Sequence, residues 1–131
     1  MMQRPSSPAE AGRLHVELGS VARGVSVVRL QGEADLHTAP ILRDALHEAI
    51  EKGSRAIVVD MTGVTFIDSM MLGVLLGATR RSGTPGIDLR IVVDDPHVRR
   101  IFELTLLDRV LALYPSLQAA LVDLGTASSG D

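Results

Sequence analysis

The chain contains no cysteine and no tryptophan, and its 131 residues include only two Phe and one Tyr. Without cysteine no disulfide can brace the fold and no thiolate can hold a metal; this composition fits a reducing cytoplasm. With so few aromatics the core must be built from Val, Leu, Ile and Ala. Stacking platforms for bases are missing, and a formal net charge of −3 gives no basic excess to neutralise phosphates. No apolar run reaches the ~18 residues that would span a bilayer, and the N-terminus has no apolar signal segment. The expected location is the cytoplasm, with neither nucleic acid nor membrane as partner. The glycines form no phosphate-binding pattern. His15, His37, His47 and His97 are scattered without ligand spacing. Neither metal nor cofactor is expected. What remains is a hydrophobic content of 46%, enough for one core, in a domain whose partners are other proteins.

The periodicity gives the elements. Residues 1–12 hold Arg, Ser, Pro and Ala without pattern and read as a flexible tail, as do residues 125–131. Between them, residues 13–124 read as one domain. Leu14, Val16 and Leu18 alternate, which predicts an edge strand. Ser20 to Gly24 reads as a turn and Val25 to Leu30 as the next strand, the two able to form a hairpin. After a loop, Gly32 to His37, Thr38 can cap a helix with Pro40 in its first turn. Leu42, Ala45, Leu46, Ala49 and Ile50 form its apolar stripe, and Gly53 ends it in a left-handed cap. Ala56-Ile57-Val58-Val59 is apolar throughout, as a strand buried on both faces must be.

A second apolar patch, Val64 to Ile67, reads as further buried β-structure. Beyond Ser69, Leu72, Leu75, Leu76 and Thr79 recur at helical spacing, and Arg80-Arg81 close the helix. Ile87 to Val93 is a strand. Asp94 or Asp95 can cap a third helix, with Pro96 at its start and Val98, Ile101, Phe102 and Thr105 on one face. Ser116 caps a last helix that buries Leu117, Ala120, Leu121 and Leu124. Strands alternating with helices predict an α/β domain, with a mixed, mostly parallel sheet of about four to five strands covered by about four helices.

Asp68-Ser69 therefore falls where β-structure gives way to a helix. From chemistry alone Ser69 is a helix cap contributing about 1 kcal/mol, at a terminus that tolerates an anion. The wider pattern says more. Asp60-x-Thr62-x-Val64-x-Phe66-Ile67-Asp68-Ser69 followed by Leu72-Gly73-Val74-Leu75 resembles the core motif of the STAS domain, and more narrowly that of the bacterial anti-sigma factor antagonists. Val27 to Asp35 is similar to that family's strand ending in Gly-Glu-Leu-Asp, and Thr38-Ala39-Pro40 opens a helix as is usual there. Leu89 to Val93, Val98 to Thr105, Leu107 to Leu111 and Leu117 to Leu121 continue the pattern.

The resemblance implies a regulatory binding protein and not an enzyme. In such antagonists the Ser after the Asp is phosphorylated by an anti-sigma factor with serine kinase activity. Ser69 holds that position, and a phosphatase that reverses the modification belongs to the same scheme. The unphosphorylated protein would bind the anti-sigma factor and release a sigma factor, as a monomer or weak dimer. Glu33, Asp35, Asp68, Ser69, Met70 and Met71 are the implied partner-binding residues; for Glu33 and Asp35 a solvated acidic turn is the alternative, and for Asp68 a solvated loop carboxylate or a local cap. Met70 and Met71 depart from the family, which usually has Ser or Thr and then Gly there. They read either as core filler or as an adaptable apolar contact, and in the second case the protein is an adaptor that needs no phosphorylation. Leu106 stands where the family often has Gly. A serine hydrolase is not supported: the Gly-x-Ser-x-Gly elbow is missing and no His is tied to Ser69.

Overall fold

The computed structural model describes residues 15–31, 39–82 and 87–124. Five strands form one sheet in the order β1-β2-β3-β4-β5: His15–Ala22, Val25–Gln31, Ala56–Asp60, Asp88–Val92 and Ala112–Tyr114. The first pair is an antiparallel hairpin, and the other neighbours are parallel. Each parallel step crosses over through a helix: α1 (Ala39–Glu51), α2 (Ser69–Ser82) and α3 (Pro96–Leu104), the last followed by a 3-10 turn, Leu107–Arg109. A short α4 (Leu117–Leu121) follows β5. The described residues thus form a single α/β domain with a five-stranded mixed sheet and four helices.

The two sheet faces carry different cores. On one, Val28, Leu30, Ile57, Val59, Ile91 and Val93 meet Leu42, Leu46 and Ala49 of α1, Met71, Leu75 and Ala78 of α2, and Val98 and Phe102 of α3. On the other, Val25, Val27, Ala56, Val58 and Val92 are covered by Ala120 of α4 and by Leu124. Strand β3 faces both cores, so every residue from Ala56 to Asp60 is buried and its sequence cannot alternate.

Several boundaries move from the sequence reading. Strand β1 extends to Ala22, with a register irregularity between Ser20 and Ala22, so the hairpin turn shrinks to Arg23-Gly24. Strand β5 was not separately predicted; three partly exposed residues give no usable period. The Val64–Ile67 patch is not a strand. Val64 and Ile67 are buried plugs of an irregular loop, while Thr65 and Phe66 face solvent. The buried stripe of α2 is Met71, Leu75 and Ala78, one position off the expected Leu72-Leu75-Leu76-Thr79 register, with Leu72 and Val74 partly buried beside it. Gly53 does close α1 at φ +83°. Ser116 caps α4 as expected, its Oγ accepting from the Ala119 N–H at 3.0 Å. Asp95 occupies the N-cap position of α3 but makes no side-chain cap bond. Thr38 and both tails lie outside the described residues.

Candidate functional site

The site is built on the carboxyl end of β3. Asp60, buried at the last position of that strand, accepts from the Thr62 N–H at 3.0 Å and from its hydroxyl, and lies 3.5 Å from the Arg29 Nε. This fixes the chain as it leaves the sheet. Met61 N–H then donates to Val92 C=O at 2.9 Å, and Val64 N–H to Met61 C=O at 3.0 Å. Gly63 takes φ +84°, a conformation that favours a residue without Cβ. Its N–H donates to the Asp94 carboxylate at 3.0 Å. Asp94 therefore braces this loop and does not cap α3. With Val64 and Ile67 inserted into the core, the loop is held at both ends while its middle, Thr65-Phe66, stays outside.

Asp68, not Ser69, caps α2. Its Oδ1 accepts from the N–H groups of Met70 and Met71, each at 3.1 Å, and its own carbonyl receives the Leu72 N–H at 3.1 Å. Ser69 is the first helical residue. Its side chain is exposed, and among the described residues its hydroxyl makes no hydrogen bond. The correction follows from geometry: the N-cap is the residue before the first helical one, and there the carboxylate satisfies two of the unpaired N–H groups.

The two methionines separate. Met71 is fully buried in the core of α1, α2 and the sheet, so it offers no contact surface. Met70 is 52% exposed, and Phe66 four residues earlier is 49% exposed. Along the flank of α2, Ser69, Met70, Gly73, Val74 and Gly77 line a mostly apolar groove of about 270 Å³, bounded across from α2 by Arg43 of α1. A Cβ on Gly73 would meet nothing within 4 Å, so the glycine keeps the groove open and is not demanded by packing. Asp68, Ser69, Met70 and the groove thus form one surface. Glu33 and Asp35 lie outside the described residues. In the sequence Phe66 stands out only as part of the motif; its exposure follows from the loop, which no periodicity announces.

A larger concavity of about 550 Å³ lies at the carboxyl ends of the strands, lined among others by Arg29, Asp60, Thr62, Asp94 and Ser116. Asp60, Asp94 and Ser116 there already hold protein partners. Among the described residues no group of three or more His, Cys, Asp or Glu could hold a metal ion, and no helix is long and apolar enough to cross a membrane.

The family model of the STAS domain matches residues 20–120. The chain belongs to the STAS domain family. Among its curated relatives is the anti-sigma F factor antagonist of Paenibacillus polymyxa, 33% identical over 81% of this chain and 92% of that protein. Among solved structures, an anti-sigma factor antagonist from Mycobacterium paratuberculosis is 31% identical with a TM-score of 0.76, covering 92% of this STAS protein and 97% of that chain. The Bacillus cell fate determinant SpoIIAA in its phosphorylated form is 25% identical with a TM-score of 0.66, covering 84% and 99%.

Proposed function

We propose that this STAS protein is an anti-sigma factor antagonist. It binds an anti-sigma factor with serine kinase activity through the surface formed by Asp68, Ser69, Met70 and the α1–α2 groove, and so frees a sigma factor for transcription. Phosphorylation of Ser69 ends the complex, and a phosphatase restores it. The observation that carries this reading is the exposed, unbonded hydroxyl of Ser69 on the first turn of α2, in a chain whose relatives are named as antagonists of this kind. The solved phosphorylated form of a related protein supports the covalent step.

The chemistry is a transfer of the γ-phosphoryl group of ATP to the Ser69 oxygen, with loss of the hydroxyl proton and release of ADP. This protein supplies the acceptor, and the partner supplies the catalyst. The product gains about −1.5 to −2 charges at neutral pH. Against one partner carboxylate at ~6 Å and an effective dielectric of ~20, that costs roughly 4–6 kcal/mol, on the order of 10³- to 10⁴-fold in affinity.

The test combines intact-mass spectrometry with a binding titration. With the cognate anti-sigma factor and ATP, one phosphate should appear, map to Ser69 and be missing from Ser69→Ala. Ser69→Asp should weaken the complex while Ser69→Ala preserves it. A phosphate on Thr62 or Thr65 would move the site. If Ser69 stays unmodified while Met70→Ser still weakens binding, the exposed Met70 supports the adaptor reading in place of the switch.

A further inference from the structure

With no cysteine in the chain, its sulfur chemistry belongs to five methionines. Three of these, Met61, Met70 and Met71, lie among the described residues, and their surroundings differ sharply. Met61 and Met71 are fully buried members of the main core. Met70 is half exposed on the first turn of α2, directly after Ser69. A buried thioether is shielded from aqueous oxidants until the fold opens, whereas an exposed one is open to them in the folded protein.

The helix itself leaves one flank of Met70 bare. Gly73 stands three residues on, where a side chain would neighbour that of Met70, and a Cβ there would meet nothing within 4 Å. Gly77 continues the opening one turn further, and both glycines line the groove of about 270 Å³ together with Ser69 and Met70. A small oxidant therefore has room to reach the sulfur. The fold makes no demand for sulfur here, because Leu and Lys match Met in helix propensity. What the sulfur adds is chemistry at the edge of the groove.

We propose that Met70 is a reversible oxidation site that weakens docking of the anti-sigma factor independently of Ser69; this rests on the docking role proposed for the groove. The oxidant is a peroxide. The thioether sulfur attacks one peroxide oxygen, the S–O bond forms as the O–O bond breaks, and the departing hydroxide takes the proton of the transferred oxygen and leaves as water. Sulfur loses two electrons and the peroxide gains them, so the product is methionine sulfoxide. A thiol-dependent reductase reverses the step: two thiols become one disulfide, and the oxygen leaves as water. The sulfoxide carries no net charge but has a strong hydrogen-bond acceptor. The groove is mostly apolar, so a partner surface that fills it is apolar too and leaves that oxygen without a donor. A phosphate at Ser69 acts by charge and is screened by salt, whereas the sulfoxide acts by desolvation and is not.

Brief treatment with hydrogen peroxide, followed by peptide mapping, reads the chemistry with no partner present. Met70 should gain one oxygen about tenfold or more faster than Met61 and Met71, with the thermal midpoint unchanged because the site lies outside the core. After removal of peroxide, calorimetric titration with the cognate anti-sigma factor reads the consequence. The oxidised wild type should bind on the order of tenfold more weakly, by the same factor at low and high salt, and sulfoxide reductase with dithiothreitol should restore it. Met70→Gln should show the weakening without oxidant. Met70→Leu, whatever its own affinity, should bind equally before and after peroxide. Met70 that oxidises no faster than Met61 overturns the proposal, as does an oxidised protein that binds as tightly as the reduced one; both results leave the proposed function standing. A peroxide effect that Met70→Leu shares belongs to another residue and also overturns it. Reduced wild type that fails to bind the anti-sigma factor removes the proposed function itself, and this regulation with it.

Discussion

Replacing Asp68 should destabilise the domain, and replacing its neighbour Ser69 should not. The carboxylate of Asp68 accepts from two N–H groups at 3.1 Å, and one of these belongs to Met71, whose side chain is fully buried. Asp68→Ala removes both bonds and the negative charge at the positive end of α2. Loss of the cap costs about 1–2 kcal/mol, and loss of the dipole interaction at an exposed site adds about 0.3–1 kcal/mol. For a domain of this size that lowers the thermal midpoint by roughly 4–12 °C. Asp68→Asn keeps an acceptor oxygen and should lose only the smaller, electrostatic part. Ser69→Ala removes a hydroxyl that bonds to nothing described and gains about 0.5 kcal/mol of helix propensity, so it should be neutral or slightly stabilising. Urea unfolding followed by far-ultraviolet circular dichroism measures all three, with the slope against denaturant expected to be unchanged. A Ser69→Ala variant that loses as much as Asp68→Ala would mean that Ser69, not Asp68, is the cap.

The two methionines should differ as sharply: Met71→Ala costs about 2–4 kcal/mol through the cavity it leaves, while Met70→Ala stays within about 0.5 kcal/mol, both read by the same unfolding assay. Arg90, buried on the α4 side, donates to Asp88 at 3.2 and 2.8 Å, to Asp123 at 2.6 Å and to the Ala120 carbonyl at 2.9 Å, and lies 5.4 Å from the centre of the Tyr114 ring. Arg90→Met should cost about 2–3 kcal/mol by orphaning that carbonyl, and the fluorescence of Tyr114, the single Tyr in a chain without Trp, should report it. The hydrogen bond from Arg90 holds the Asp123 carboxyl below its ordinary value, so its contribution to folding is complete above about pH 4 and is lost as pH falls through the lower folded-state value. Acid should therefore loosen α4 first, seen as faster amide exchange at Ala120, and Asp123→Asn should remove that pH dependence.

What could be read from the chain alone depended on how many residues spoke for each element. Strand β3 was legible because four consecutive apolar residues leave few alternatives, and α1 because its stripe runs through five positions. Strand β5 has three half-exposed residues and is defined by its hydrogen bonds to β4, a tertiary fact. The loop from Met61 to Asp68 misled because Val64 and Ile67 are as buried as strand residues, yet the loop is fixed by the bonds of Asp60 to Thr62, by the left-handed Gly63 and by Asp94 from beyond β4, none of which leaves a period in the sequence. At the site, the Asp68-Ser69 pair was visible, but which of the two caps the helix depends on a boundary of one residue, and periodicity does not resolve boundaries so finely. Likewise, only the register of α2 decides which of two adjacent methionines is buried.

That one-residue distinction bears on how a phosphate at Ser69 would act. Had Ser69 been the cap, its hydroxyl would lie among the free N–H groups of α2, and a phosphate there could be drawn inward and reshape the helix start. With Asp68 as the cap, the N–H groups of Met70 and Met71 are already taken, and Leu72 is bonded within the helix. A phosphate on the first helical residue therefore finds little of the anion cradle left, stands next to a carboxylate of the same sign, and is driven toward solvent. Its charge is spent on whatever faces the Asp68–Met70 surface and not on the domain itself. The phosphorylated protein should then keep its fold and nearly its stability while losing its partner. Comparison of amide exchange in the two forms decides this: protection across β3 and α2 should match, and unfolding of α2 on phosphorylation would show that the switch works through the fold after all.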